Sequence, residues 1–191
     1  MDALIANMVA QVKKGDQEAF EGIVDLFKDK IYRHCYRMVG NGHEAEDLAQ
    51  ETFLRAYRNI NKYNSEFKFS TWIFRIATNL CIDRLRKKKP DYYLDAEVPG
   101  TDGANMYSQL STEEPLPEEV VTENEQWNEL QAEIMKLPEK YRTAIVLKYV
   151  EDLSLEEISQ IMDIPVPTVK TRIHRGREAL KKVFQMVVKT R

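Results

Sequence analysis

A basic segment near the C-terminus carries side chains suited to binding a polyanion. Between Lys170 and Arg191 eight residues are Lys or Arg, and Glu178 is the one acid in that span. A helical wheel places many polar residues of this segment on one arc: Lys170, Thr171, His174, Arg175, Lys181 and Lys182. Cations beside a hydroxyl and an imidazole can contact phosphates and base edges in the DNA major groove. The spacing therefore predicts a helix that reads double-stranded DNA.

A shorter amphipathic helix precedes the basic one, and a tight turn joins the two. Ser154 and Glu157 have the spacing of a capping box, in which each side chain binds the backbone N–H of the other residue. The proline after Asp163 and Ile164 ends this helix, because a residue before proline is pushed out of helical geometry. Pro167 fits the first turn of the basic helix. These signals favour a DNA-binding helix-turn-helix over the alternative of an ordinary hairpin with a solvated basic face.

Residues 63–89 combine aromatic and basic side chains in a second pattern. A helical wheel gives Trp72, Arg75 and Asn79 a common polar face, and Tyr63 lies in the polar loop before them. Aromatic rings stack on unpaired bases and cations hold phosphate, and an amide can read a base edge. We therefore interpret these four residues as contacts to single-stranded nucleic acid. The alternative is an ordinary place in the core, which fits Phe67, Phe74 and Phe69.

The composition predicts a helical protein. Of 191 residues, 43% are hydrophobic and 31% are charged, glycine and proline number seven each, and no run alternates at strand length. We expect an all-α fold of two small domains, an N-terminal helical bundle and a C-terminal helix-turn-helix domain. No apolar stretch approaches the ~20 residues that cross a bilayer, and the N-terminus lacks the basic start of a secretory signal. Cys35 and Cys81 fit buried thiols in a reducing cytoplasm.

Charge divides the chain into three parts. Residues 90–126 contain ten acids and no Lys or Arg, whereas both flanking parts are mildly basic, so the net charge of -3 hides the basic surfaces. The predicted domains are residues 1–89 and 127–191, joined by this flexible acidic linker. The linker is either a plain spacer or an acidic segment that occupies a basic channel of a partner. The predicted helices are one ending near Lys14, Gln17–Val39, His43–Asn59, Ser70–Lys88, one ending at Lys136 and one near Lys140–Tyr149.

Three motifs in this order resemble the extracytoplasmic-function sigma factors, group IV of the sigma-70 family of bacterial RNA polymerase. They are H-E-A-E-D-L-A-Q-E-T-F-L-R-A-Y from His43, F-S-T-W-I-F-R-I-A-T-N-L-C-I-D-R-L-R from Phe69, and I-P-V-P-T-V-K-T-R-I-H-R-G-R-E-A-L from Ile164. The resemblance implies a non-enzymatic subunit, with no cofactor and no metal, that directs core polymerase to promoters. The implied partners are the β′ clamp helices and β flap of core RNA polymerase, promoter DNA, and a membrane-bound anti-sigma factor in an envelope-stress response.

The resemblance also assigns roles to three sets of residues. The set implied for core polymerase binding is Asp47, Gln50, Glu51, Phe53 and Arg55. The set implied for the melted -10 element is Tyr63, Lys68, Phe69, Thr71, Trp72, Arg75, Asn79 and Arg86. The set implied for the -35 duplex is Thr168, Lys170, Thr171, Arg172, His174, Arg175 and Arg177. Two positions depart from the family pattern, because Pro167 replaces the usual glycine and His174 stands where some relatives carry an aromatic residue.

Two other functions fit parts of the pattern. A stand-alone helix-turn-helix regulator usually dimerises on palindromic DNA, but no segment of this chain resembles a dimerisation helix. A metal-dependent nuclease could use acidic and imidazole side chains of the third predicted helix, namely His43, Glu44, Glu46 and Asp47. Those side chains point around a helix instead of converging, so the sigma-factor function is preferred.

Overall fold

The computed structural model of the chain describes residues 2–88 and 123–189, and the regular elements in those residues are all helical. The N-terminal helices are α1 (Asp2–Lys13), α2 (Gln17–Val39), α3 (Gly42–Arg58) and α4 (Phe69–Lys88), with a 3-10 turn at Ile60–Lys62. The C-terminal helices are α5 (Glu123–Lys136), α6 (Glu139–Ile145), α7 (Leu155–Met162) and α8 (Val166–Lys189), with a π-helical turn at Val146–Val150. The all-α prediction is confirmed. Of the predicted linker, residues 90–122 lie outside the described residues, and residues 123–126 belong to α5.

Local sequence signals set several helix ends as expected. Asp16 caps α2 by accepting a hydrogen bond from the N–H of Ala19 at 3.1 Å. Gly40 ends α2 with φ of 70°, a left-handed conformation that glycine adopts without steric strain. The predicted capping box of α7 is present, because Oγ of Ser154 accepts from the N–H of Glu157 at 3.1 Å and the N–H of Ser154 donates to Oε2 of Glu157 at 2.9 Å. These ends depend only on neighbouring residues.

Two predicted helix ends differ from the structure. Helix α4 begins at Phe69, so Ser70 lies in its first turn instead of capping it. The ring of Phe69 packs edge-on against Phe27 of α2, with ring centroids 5.7 Å apart. The N–H of Trp72 donates to the carbonyl of Lys68 at 3.2 Å, which marks the start of the helical turn. The helix predicted near residues 140–149 is α-helical only as far as Ile145.

Each domain has an apolar interior formed by the inward faces of its helices. In the N-terminal domain, Ile23, Ile31 and Met38 of α2 are fully buried together with Ile73 and Ala77 of α4. Cys35 and Cys81 are also fully buried, as predicted. A hydrogen bond with Cys35, together with burial, raises the pKa of the Cys81 thiol well above its usual range. Both cysteines therefore act as core residues.

The C-terminal interior depends on a close approach of two helices. Ile158 and Ile161 of α7 and Val169 of α8 are buried. Gly176 of α8 is packed so closely against α6 that a Cβ atom at this position would lie 2.6 Å from Cγ1 of Ile145. The absence of a side chain at Gly176 therefore lets α6 and α8 pack, which fixes the orientation of the basic helix.

The two domains are in direct contact, which the sequence did not predict. Arg142 of α6 is buried, and its Nη1 donates to the carbonyl of Met38 at the end of α2 at 2.7 Å. Nη1 of Arg37 donates to Oε1 of Gln131 at 2.9 Å, and Nε2 of Gln131 donates to the carbonyl of Arg37 at 3.2 Å. Residues of α5 and α6 thus hold the C-terminal end of α2. No helix within the described residues is long and apolar enough to span a membrane.

Candidate nucleic-acid interface

The basic face of α8 points away from the C-terminal core. Val169, Ile173 and Gly176 are buried, whereas the opposite side exposes Lys170 and His174. The other residues implied for the -35 duplex are placed as follows: Thr171, Arg175 and Arg177 are exposed, and Thr168 and Arg172 are half-buried. The two faces predicted for this helix are therefore present in the structure, as far as Lys181.

Two residues of the α8 face are held by local contacts. Oγ1 of Thr171 donates to the carbonyl of Pro167 at 3.0 Å, one helical turn earlier. Nη1 of Arg175 donates to the hydroxyl of Tyr141 at 3.3 Å, which ties this guanidinium to α6. A side chain that is already held in place loses less conformational entropy when it binds. The guanidinium of Arg175 is therefore partly held in place by its hydrogen bond to Tyr141.

An aromatic cluster lies beneath the start of α4. The rings of Tyr63, Phe69 and Trp72 have centroids 5.3–5.4 Å apart. Tyr63 is only 8% exposed and Phe69 is buried, while Trp72 is half-buried. Thr71, which was also assigned to the -10 element, is buried. In this arrangement the cluster supports α4 from below, and Trp72 is its partly accessible member.

Two phenylalanines expected in the core have different positions. Phe74 is buried, as predicted, and packs edge-on against His34 with ring centroids 5.2 Å apart. The prediction for Phe67 is wrong, because this side chain is 47% exposed. The carbonyl of Phe67 accepts a hydrogen bond from the hydroxyl of Tyr63 at 2.5 Å. This bond holds the backbone of the loop inward while the ring of Phe67 stays outside.

The polar face of α4 carries Arg75, Asn79 and Arg86, which are all exposed, and Lys68 precedes it in the loop. The three cations each meet a carboxylate of the C-terminal domain. The pairs are Lys68 with Glu157 at 3.0 Å, Arg75 with Asp163 at 3.7 Å, and Arg86 with Glu139 at 3.0 Å. Sequence reasoning missed these acids as partners, because nothing local links them to α4.

Glu157 shows the electrostatic effect of this arrangement. Burial alone would raise the pKa of this carboxyl group, but hydrogen bonds from Ser154 and Lys68 outweigh it. The pKa of Glu157 therefore lies below its usual value, and the group is a carboxylate at neutral pH. One oxygen serves the capping box of α7 and the other binds Lys68 of the other domain.

The residues implied for polymerase binding lie on α3. Asp47 and Gln50 are exposed, and Oε1 of Glu51 binds Nε of Arg55 at 2.7 Å along the helix surface. Phe53 lies on another side of α3 and is half-buried against the core. Leu54 was not identified from the sequence, although it is 50% exposed within the polar stripe. Leu54 follows Asp47 by seven residues, about two helical turns, so both lie on the same side of α3. This spacing could have identified Leu54 from the sequence.

The start of α3 does not gather ligands for a metal. Oε1 of Glu44 lies 3.4 Å from Nη2 of Arg84, whereas His43, Glu46 and Asp47 are exposed. Across residues 2–88 and 123–189, no group of three or more His, Cys, Asp or Glu side chains is arranged to hold a metal ion. In the grouping proposed for a nuclease, three side chains are exposed and Glu44 faces Arg84.

Comparison with known proteins decides the family. The model of sigma-70 region 2 matches residues 23–90, and the model of sigma-70 region 4 matches residues 127–180. The ECF RNA polymerase sigma factor SigW of Bacillus subtilis is 64% identical over 95% of this chain and 97% of the relative. The chain belongs to the extracytoplasmic-function sigma factors. The RNA polymerase sigma-H factor of Pseudomonas aeruginosa is 34% identical over 95% of this chain and 94% of that protein.

Solved structures show the same fold. CnrH, in complex with the cytosolic domain of CnrY, has a TM-score of 0.70 at 20% identity, covering 96% of this chain and 98% of that one. The sigma factor RpoE of Bartonella quintana, in complex with the anti-sigma factor NepR, has a TM-score of 0.64 at 18% identity, covering 87% and 96%. This sigma factor therefore directs promoter-specific transcription initiation, and the stand-alone regulator is not favoured.

Proposed function

We propose that this sigma factor divides promoter recognition between α8, which reads the -35 duplex, and α4, which captures the melted -10 strand. The observation that carries this proposal is the presence of two exposed basic helix faces, one in each domain. For α8, Lys170, Thr171 and His174 form a convex polar face that fits a major groove. The residues assigned to this contact are Thr168, Lys170, Thr171, Arg172, His174, Arg175 and Arg177.

The -10 contact uses a different chemistry, because the bases must be unpaired. Asn79 and Arg75 are exposed one turn apart on α4, where an amide reads a base edge and a guanidinium holds phosphate. Trp72 presents the accessible edge of the aromatic cluster for stacking. Lys68 and Arg86 extend the positive charge along the strand. Tyr63, Phe69 and Thr71 are buried and support these residues from beneath.

Two surfaces are assigned to core polymerase. The first is the α3 stripe, where Leu54 is an exposed apolar side chain among Asp47, Gln50, Glu51 and Arg55. An apolar residue ringed by polar ones is typical of a binding hot spot, and we assign this stripe to the β′ clamp helices, with Phe53 holding α3 on the core. The second is an apolar cleft of about 450 Å³, assigned to the β flap and lined in part by Leu130, Ile134, Ile145, Tyr149 and Val150.

A further assigned partner is an anti-sigma factor anchored in the membrane, which would hold this sigma factor at the inner face of the membrane until envelope stress releases it. Support for this partner comes from the two solved relatives, of which RpoE was captured with an anti-sigma factor. The acidic linker is assigned to a basic channel of the polymerase. No cofactor is required, since promoter recognition breaks no bond.

Replacement of Asn79 by Ala tests the -10 assignment. We expect Asn79→Ala holoenzyme to bind promoter duplex as tightly as the parent while losing about 1–3 kcal/mol of promoter opening, because one base-edge contact is removed. Permanganate reactivity of unpaired thymines measures opening, and a gel shift at low temperature measures duplex binding. Gln11→Ala, an exposed amide on α1, is the matched control. Unchanged thymine reactivity in the Asn79 variant would refute the assignment.

A further inference from the structure

Tyr141 of α6 connects the packed interior of the C-terminal domain to the exposed face of α8. Tyr141 is only 6% exposed, and its hydroxyl oxygen accepts a hydrogen bond from Nη1 of Arg175 at 3.3 Å. Arg175 itself is exposed on the face assigned to the -35 duplex. A buried aromatic residue therefore makes a polar contact with one of the side chains that we assign to DNA.

The close approach of α6 and α8 brings these two side chains together. A Cβ atom at Gly176 would lie 2.6 Å from Cγ1 of Ile145 and 3.5 Å from the carbonyl oxygen of Tyr141. Arg175 directly precedes Gly176 in the chain, so its side chain leaves α8 beside this contact. Because packing at Gly176 already joins the two helices, the hydrogen bond is not needed for that purpose. Its main effect is on the position of the Arg175 guanidinium.

The hydroxyl of Tyr141 has a well-defined position. A phenol oxygen lies on the axis of its ring, so two side-chain torsions determine where the hydroxyl lies. Burial holds the ring, and Nζ of Lys140 lies over it, 5.3 Å from the ring centroid, as in a cation–π contact. An arginine side chain, in contrast, is long and rich in rotamers. An acceptor that does not move therefore restricts the guanidinium at the far end of Arg175.

We propose that Tyr141 is a positioning residue for -35 recognition, whose hydroxyl orients the guanidinium of Arg175 toward a guanine. This inference rests on the proposed assignment of α8 to the -35 duplex. Arginine binds O6 and N7 of guanine through two N–H groups, so the orientation of the guanidinium plane decides whether both bonds form. The hydrogen bond to Tyr141 uses one of the five N–H donors of a guanidinium. Tyr141 thus contributes to sequence preference without touching DNA.

The size of the effect follows from the freedom that a side chain loses when it binds. Ordering one rotamer-rich side chain at an interface weakens binding by about two- to tenfold. The hydrogen bond to Tyr141 spares Arg175 part of that loss on the duplex whose guanine it binds, but not on a duplex that lacks this guanine. Removing the hydroxyl should therefore lower the base preference at one -35 position by about two- to fivefold.

Tyr141→Phe tests the inference, because the change removes one oxygen atom and keeps the buried ring. Holoenzyme binding to promoter duplexes, each substituted at one -35 base pair, gives the base preference at every position. Tyr32→Phe, which removes the same atom from an exposed tyrosine of α2, is the matched control. The same measurements are made with Arg175→Ala and with Tyr141→Phe/Arg175→Ala. The double variant separates positioning from damage to the fold, because damage would weaken binding with or without the Arg175 guanidinium.

Positioning predicts that Tyr141→Phe lowers preference by about two- to fivefold at the base pair where Arg175→Ala acts, and that Tyr32→Phe does not. Tyr141→Phe should add nothing in the Arg175→Ala background. A loss that is equal at every base pair, or that persists in the double variant, would overturn the inference. If Arg175→Ala itself leaves the -35 preference unchanged, the assignment of Arg175 to a base fails and the positioning role fails with it. If Arg175→Ala alters the preference and Tyr141→Phe does not, only the positioning role fails.

Discussion

Glu157 links helix formation to contact between the domains. Its Oε2 accepts from the N–H of Ser154 at 2.9 Å, and its Oε1 binds Nζ of Lys68 at 3.0 Å. Lys68 is the charged group that faces it from the N-terminal domain. A group whose pKa is lowered by folding stabilises the folded state above its unfolded pKa, and this stabilisation is lost as the pH falls through the folded pKa.

Glu157→Gln should therefore destabilise the protein in a pH-dependent way. At neutral pH the loss in free energy of unfolding should be below about 1 kcal/mol, because the capping hydrogen bond remains and only the ion pair is lost. In acid the parent carboxylate is protonated as well, so the difference should vanish. Urea titrations of parent and variant at neutral and acidic pH measure this. Glu156→Gln, an exposed neighbour, is the control, and a pH-independent difference would contradict the linkage.

Replacing Lys170 or Arg175 of α8 by Ala should affect -35 binding differently from replacing a surface cation that contacts phosphate only. Replacing either by Ala should cost about 1–3 kcal/mol of -35 binding if its side chain reads a base, and should relax specificity at one position. Lys181→Ala should weaken binding evenly across sequences, because Lys181 lies beyond the helix-turn-helix. Holoenzyme binding to duplexes substituted base by base measures both effects. Unchanged -35 preference in both variants would contradict the placing of this face.

At the scale of elements, α8 depends on the glycine that lets it approach α6. A Cβ at Gly176 would lie 2.6 Å from Cγ1 of Ile145, so Gly176→Ala must shift one helix or the other. We expect a loss of about 1–3 kcal/mol in free energy of unfolding, typical of overpacking, despite the better helix propensity of alanine. Thermal unfolding measures it, with the nearby exposed Lys170→Ala as the control. A Gly176→Ala protein that is more stable than the parent would contradict the close packing of α6 against α8.

The elements that could be predicted from sequence are those that depend on neighbouring residues. The capping box of α7 follows from Ser154 and Glu157, and the inward face of α8 follows from the spacing of Val169, Ile173 and Gly176. The start of α4 was predicted one residue late, and the contact of Phe69 with Phe27, which is far away in sequence, was not predicted. Likewise, nothing near Phe67 shows that its ring stays exposed.

At the scale of the whole molecule, family motifs predicted the two helix faces that we propose bind DNA, but they did not predict the contact between the two domains. Glu139 and Asp163 pair with α4, and Glu157 pairs with Lys68 in the loop before it. Each pair joins residues more than fifty positions apart, and the acids have ordinary local roles at helix ends. Arg142 of α6 is buried, and its guanidinium donates to the carbonyl of Met38 in the other domain. Such contacts arise only when the domains pack, so sequence pattern alone does not reveal them.

Run-off transcription with purified core RNA polymerase tests the function of the whole molecule most directly. We expect RNA of defined length from a matching natural promoter only when this chain is added. A charge-neutral change on the α4 face, Asn79→Ala, should reduce that RNA, and Gln11→Ala should not. Core polymerase that starts no RNA at any natural start site in the presence of this chain would contradict its function as a promoter-specificity subunit.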